Sequence, residues 1–254
     1  MTSYRFRICD GLSGNQLKLI AAISMLIDHA GVLLFPDIKV LRALGRIAFP
    51  IYAYMIAEGC RYTKNKPRYF GTMFFLASIC QIVYFLFDGS TYMCILVTFS
   101  LSILMIYALQ YFKCSILLRG AILKKVVSGL LLFAAIATVY LLNQILTIDY
   151  GFWGSMTPVL VSVFQQPSNS AQGILCKLDR IAVHVIMLSI GLCHLGLAYG
   201  RIQYFAFAAI PLILCYSGRR GVRNLKYFFY VFYPTHLVFL QCIHMLLSVV
   251  AFGK

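Results

Sequence analysis

Asp28 and His29 are adjacent near the middle of an apolar run, Leu17 to Phe35, that reads LKLIAAISMLIDHAGVLLF. A carboxylate at bilayer depth costs roughly 2.5 kcal/mol or more on insertion scales, so it should face a bundle interior or a wet cavity. Lys18 opens the same run, eleven residues before His29. At about 100° per residue that is about three full turns, so both side chains lie on one helix face, roughly 16 Å apart along the axis. His236 follows Pro234 in the last apolar run. His29 is about twelve residues from the basic end of its run and His236 about ten from the basic end of its own, so both should lie roughly 15–18 Å deep. Two imidazoles at one level, one with a carboxylate beside it, suit general-base catalysis. His29, Asp28 and His236 are therefore the catalytic candidates.

Arg42 and Arg46 are one helical turn apart in the next run. Either can clamp a carboxylate, a phosphate or an oxyanion. The plainer alternative is an ion pair with Asp28 or Asp37. Arg61 ends that run and heads a basic loop, with Glu58 one turn before it as a natural partner. Of the remaining acids, Asp10, Asp37, Asp88 and Asp179 fall in loops or at run ends, where solvation is the default, and Asp149 falls at a boundary. His184, His194 and His244 are expected to make ordinary hydrogen bonds between helices. Two histidines and one aspartate lack the spacing of a metal motif, so no metal is expected.

These residues need helices to position them. Of 254 residues, 61% are hydrophobic and 11% charged, with a mean hydropathy of +0.86. A soluble domain is about a quarter charged, so this is an integral membrane protein. The apolar runs are continuous rather than alternating, which excludes a membrane β-barrel and leaves helices. The expected fold is all-α, a polytopic membrane helix bundle. The nine cysteines contain no CxxC pair, so they give neither a disulfide framework nor a zinc pattern.

About nine spans are expected, near residues 17–35, 42–61, 69–87, 92–112, 126–147, 152–166, 180–198, 202–216 and 227–251. The sixth is short enough to be re-entrant. Pro50 should kink the second span, and Pro234 should loosen the last beside His236. The net charge of +15 comes from 22 Lys and Arg against seven acids. It concentrates in alternate loops, which orients the N-terminus inward and the C-terminus outward in the cytoplasmic (inner) membrane. Lys39, Arg42 and Arg46 run against that bias, and Arg46 counts as a site residue because it lies inside an apolar run. No loop is long enough to form a basic nucleic-acid-binding domain, so the expected surroundings are lipid and no nucleic acid.

The strings LKLIAAISMLIDHAG, LGRIAFPIYAYMIAEGCRYTKN, DYGFWG and YSGRRGVRNLKYFFYVFYPTHL, in that order, resemble the TraX family. That family is named for a proposed pilin N-acetyltransferase of conjugation systems. The resemblance covers nearly the whole chain and implies a single integral-membrane domain over residues 1–254. TraX proteins are similar in turn to multi-span acyltransferases, in which a basic residue precedes a first-span histidine by eleven positions. Here Lys18 stands at the basic position, usually Arg, and His29 at the histidine. The resemblance implies acetyl transfer from acetyl-CoA to an amine or hydroxyl of an exported peptide, a sugar or a lipid. In that reading His29 is the base, Asp28 or another partner orients its ring, Lys18, Arg42, Arg46 and Arg61 serve the anionic donor, and Arg46 also stabilises the oxyanion. The same buried charges would also serve a proton-coupled transporter of a small anion, and a non-catalytic membrane scaffold is a third possibility. Against a transporter, no internal repeat is visible.

Overall fold

The computed structural model describes residues 11–118, 120–166, 177–221 and 225–252. The basic lead with Arg5, Arg7 and Asp10 lies outside the described residues, as do Arg119, Arg223 and most of the polar loop after Gln166.

The chain is an all-α helix bundle. Its helices are α1 (Gly14–Leu33), α2 (Lys39–Gly45), α3 (Ala48–Tyr62), α4 (Lys66–Asp88), α5 (Ile95–Leu117), α6 (Ile122–Ile145), α7 (Gly151–Ser162), α8 (Ile181–Tyr199), the 3-10 helix η1 (Arg201–Ala208), α9 (Ala209–Leu214) and α10 (Lys226–Phe252). Among the described residues, seven helical stretches are long and apolar enough to cross a membrane, with α2 and α3 counted as one. The other two expected spans are short: α7 has 12 residues, and η1 with α9 covers Arg201–Leu214. The outward faces are those of a lipid-immersed protein. Leu123 and Ile145, at the two ends of α6, are 77% and 80% exposed. This is a multi-pass membrane protein.

Proline decides where the helices break. A proline removes the bond to the carbonyl four residues back and its ring crowds that carbonyl. Four before Pro50 is Arg46, and the helix parts at Arg46–Ile47. Four before Pro211 is Phe207, and the α-helical winding begins only at Ala209, after a 3-10 turn. Pro234 does not end its helix, and α10 runs on through it.

The chain forms two compact units. Unit 1 contains residues up to Met55 and from Arg201 onward. In it α1 packs on α2 and α10, and α2 packs on η1. The free donors at the start of α1 are all met. Ser13 and Gln16 form a capping box, and the N–H groups of Gly14 and Asn15 donate to the carbonyls of Arg219 and Arg220. Unit 2 runs from Ile56 to Gly200. There α7 is the central element, packed on α5, α6 and α8. Tyr150 and Gly151 both take left-handed φ, at 57° and 54°, to turn the chain into α7. At the far end, Lys113 Nζ donates to the carbonyls of Ser162 (2.5 Å) and Gln165 (3.0 Å). An ammonium on these orphan carbonyls closes a helix that stops short.

Candidate active site

The break at Arg46 builds the site in unit 1. There the carbonyls of Ala43 and Leu44 accept the N–H groups of Arg46 (3.3 Å) and Ile47 (3.4 Å), and Ser24 Oγ on α1 also donates to that of Leu44 at 2.5 Å. Glycines let α1 and α2 come this close. A Cβ on Gly31 would stand 2.8 Å from Leu41 Cβ, and one on Gly45 would run into the Asp28 side chain. Small residues at such a crossing permit close packing without water. Gly45→Ala is therefore expected to push Asp28 off its partners. A melt in detergent should show a loss of about 1–3 kcal/mol, the usual cost of overpacking, whereas Ala43→Gly should cost about 1 kcal/mol or less from helix propensity alone.

Asp28 is held by both candidate arginines. Arg46 Nη2 donates to Oδ1 at 2.8 Å and to Oδ2 at 2.6 Å, and Arg42 Nη1 lies 3.2 Å from Oδ1. Arg46 is buried at 5% exposure, while the Arg42 side chain keeps 33%. Two guanidiniums on one carboxylate leave one net positive charge on the residue next to His29. The ion pair expected between Asp28 and these arginines is therefore present.

His29 and His236 meet. His29 Nδ1 lies 2.8 Å from His236 Nε2. The ring centroids are 5.0 Å apart and the planes 18° from parallel, so the rings lie nearly edge to edge in one plane, as an in-plane N–H bond requires. His236 Nδ1 lies 2.9 Å from the carbonyl oxygen of Phe232. Its ring stacks on Phe232, with centroids 5.0 Å apart and 10° between planes, and takes the edge of Tyr233. The partner that orients His29 is thus His236, while the contacts found for Asp28 are to the arginines. Helix α1 begins three residues earlier than expected, so His29 is fifteen residues into it and four from its end. That places the pair about 6 Å from the C-terminal end of α1 rather than at its middle. Lys18 stays in the second turn of α1, with Nζ 6.0 Å from the Phe229 ring. It is not brought to the histidines.

Arg61 belongs to unit 2, where it binds Asp179 with both terminal nitrogens (3.0 and 2.6 Å). It also lies 3.9 Å from Glu58, whose Oε1 accepts from Gln165 Nε2 at 3.0 Å. His184 Nε2 lies 3.1 Å from Asp179 Oδ1, and the Gln166 N–H donates to Oδ2 at 3.3 Å. Asp179, expected to be solvated, is thus the hub of a network, and its side chain is only 10% exposed. Burial pushes its carboxyl upward, but the His184 bond, the Arg61 charge and the Gln166 N–H together hold it below the usual carboxylate value. A carboxyl lowered by folding adds stability above its unfolded value and loses it as pH falls through the folded one. The melting temperature should therefore carry an acid-side decline below about pH 4 that is shallower in Asp179→Asn. Asp179→Asn should also melt lower at neutral pH, which differential scanning in detergent would show.

No residue spacing pointed to Asp179, because its partner Arg61 is more than a hundred residues away in the chain. Among the described residues no group of three or more His, Cys, Asp or Glu side chains could hold a metal ion.

A family model described as "TraX protein" matches residues 13–244. The chain is 27% identical over 258 residues to a probable fimbrial assembly protein FimC, serogroup H1, of Dichelobacter nodosus, covering 93% of this chain and 97% of the relative. It is 40% identical over 52 residues to an uncharacterized protein of Rickettsia prowazekii (strain Madrid E), covering 20% of this chain and 21% of that one. No solved structure matches. The family match takes in both the first helix with His29 and the last with His236, and on that extent the chain belongs to the TraX family.

Proposed function

We propose that the protein transfers an acetyl group from acetyl-CoA to an acceptor at the membrane. The observation that carries this is the His29–His236 pair beside an arginine-clamped Asp28. It joins a base to a positive charge one residue away, the two groups that attack on a thioester needs. The oxyanion formed on the thioester carbonyl is stabilised by Arg42, the more exposed of the two guanidiniums. Exposed cations at Lys64, Lys66, Arg68, Arg219 and Arg220 give anionic CoA an electrostatic approach. The positive-inside bias supports a cytoplasmic side for these residues, Lys66 and Arg68 at the start of α4 and the others in loops, with the protein in the cytoplasmic membrane and its N-terminus cytoplasmic. The Dichelobacter relative, a probable fimbrial assembly protein, makes a surface appendage subunit one source of acceptor.

Purified protein in detergent, given acetyl-labelled acetyl-CoA and a membrane extract as acceptor source, should consume the thioester and label an acceptor. Binding of acetyl-CoA without turnover would overturn the proposal and favour transport of an anion.

A further inference from the structure

We infer that Cys80 and Cys94 become joined by a disulfide in the membrane-inserted protein, a covalent tie between α4 and the start of α5. The inference rests on the orientation proposed above and not on acyl transfer.

The two thiols are in contact. Both helices belong to unit 2. Cys94 is the N-cap of α5, and its Sγ lies 3.9 Å from the carbonyl oxygen of Ala77 in α4. Cys80 follows Ala77 by three residues, which puts it on the same helix face. The Cys80 and Cys94 thiols are hydrogen-bonded to each other. They are enclosed by protein, at 0% and 1% exposure. A disulfide needs its Cβ atoms about 4 Å apart, and thiols already in contact have little distance left to close. One such bond between two helices differs from the spaced framework of a small secreted domain.

Little else holds α4 in place. Of its described residues only Met73, Ala77 and Cys80 are buried. They stand at i, i+4 and i+7, a single narrow stripe, and α4 packs on α5. Phe74, Phe75, Phe85 and Leu86 are exposed. Lipid is as apolar as such side chains, so no hydrophobic force presses this helix onto its neighbour. A helix with so small a buried footprint gains much from a covalent tie.

The compartment fits the chemistry. The turn from Asp88 to Thr91 carries no Lys or Arg, and the positive-inside bias sets such a turn outside. Disulfides form and persist there. Cys94 stands three residues beyond that turn. The free N–H groups at the start of α5 favour a thiolate at Cys94, which makes it the first attacker. The oxidant is the disulfide of an exported thiol oxidase. Cys94 loses its proton and attacks one sulfur of that disulfide, releasing the other as a thiolate. Cys80 then loses its proton and attacks the Cys94 sulfur of the mixed disulfide, freeing the oxidant's second sulfur. The two protons end on the oxidant's thiols, which have gained the two electrons. The exchange precedes the final packing of α4, after which both sulfurs are shielded.

Trypsin isolates the pair. The stretch Tyr69–Lys113 has no internal Lys or Arg, and its two cysteines are Cys80 and Cys94. Cells expressing the protein are quenched in acid, and the denatured chain is alkylated with a maleimide with or without prior reduction. The expected result is a peptide that carries no maleimide unless reduced first, and two afterwards. One or two maleimides on most of the unreduced peptide would overturn the bond. Ser90→Cys, in a chain with Cys80→Ser and Cys94→Ser, reads the orientation on the same peptide. A membrane-impermeant maleimide should label it in spheroplasts. That label, together with free thiols in the wild type, would end the disulfide and leave the orientation standing. Label that appears only after detergent would overturn the orientation, whatever the wild-type peptide shows.

Discussion

Replacing His29 by Gln should lower turnover of the acetyl thioester by about 10²- to 10⁴-fold, the range that a positioned general base supplies. Glutamine keeps bulk and polarity at the site but has no nitrogen that takes a proton near neutral pH. The KM for acetyl-CoA should change little, because nothing in the argument gives His29 a part in binding the nucleotide. Replacing His236 by Leu should act through His29. It leaves His29 Nδ1–H without its acceptor and frees the ring to adopt the other tautomer. Its cost should fall on kcat and shift the pH–rate profile, since the base would no longer share its environment with a second imidazole. Stopped-flow or endpoint assays of thioester loss over pH 5.5–8.5, a window spanning the ordinary imidazole range, would read both effects. Wild-type turnover in His29→Gln, with a normal melt, would end the assignment.

The helical class was legible because hydropathy is a local property. Continuous runs with few charges can satisfy their backbone in lipid only as helices. The depth match between His29 and His236 was legible for a related reason: helical rise converts residue number into length. The details of contact were not. Sequence placed Asp28 beside His29 because the two are neighbours in the chain, but adjacent residues on a helix point about 100° apart. That rotation is what sends Asp28 toward α2 and His29 toward α10. The kink expected from Pro50 was read as a bend within one span. Its consequence, a break that presents Arg46 to Asp28, depends on a crossing partner that no local pattern encodes. Span counting met a similar limit. The run behind α7 is only 12 residues long and is capped at its far end by Lys113, and that behind η1–α9 is interrupted by Pro211. Asp179 was misjudged because a loop position was taken to mean water.

Removing the carboxylate of Asp28 should be the most damaging change for stability. Asp28→Ala takes from Arg46, at 5% exposure, the carboxylate to which its Nη2 donates twice. Breaking one side of a buried pair costs about 3–5 kcal/mol, mostly the penalty of the orphaned partner. Arg42 can relax outward, since a third of its side chain already reaches the surface, so the penalty falls on Arg46. It follows that removing the second charge should restore most of the loss. The double variant Asp28→Leu, Arg46→Met should melt within about 1–2 kcal/mol of wild type, because apolar replacement of a buried pair is often neutral or better. Activity should behave in the opposite way. The double variant keeps the fold but loses the carboxylate, one residue from His29 in the chain, that holds Arg42, so thioester turnover should stay low while stability recovers. A double-mutant cycle read by thermal melting and turnover together separates these two contributions. If Asp28→Ala melted like wild type, the ion pair would not be what holds α1 to α2 at the break. The close approach at Gly31 and Gly45 would then have to do so alone.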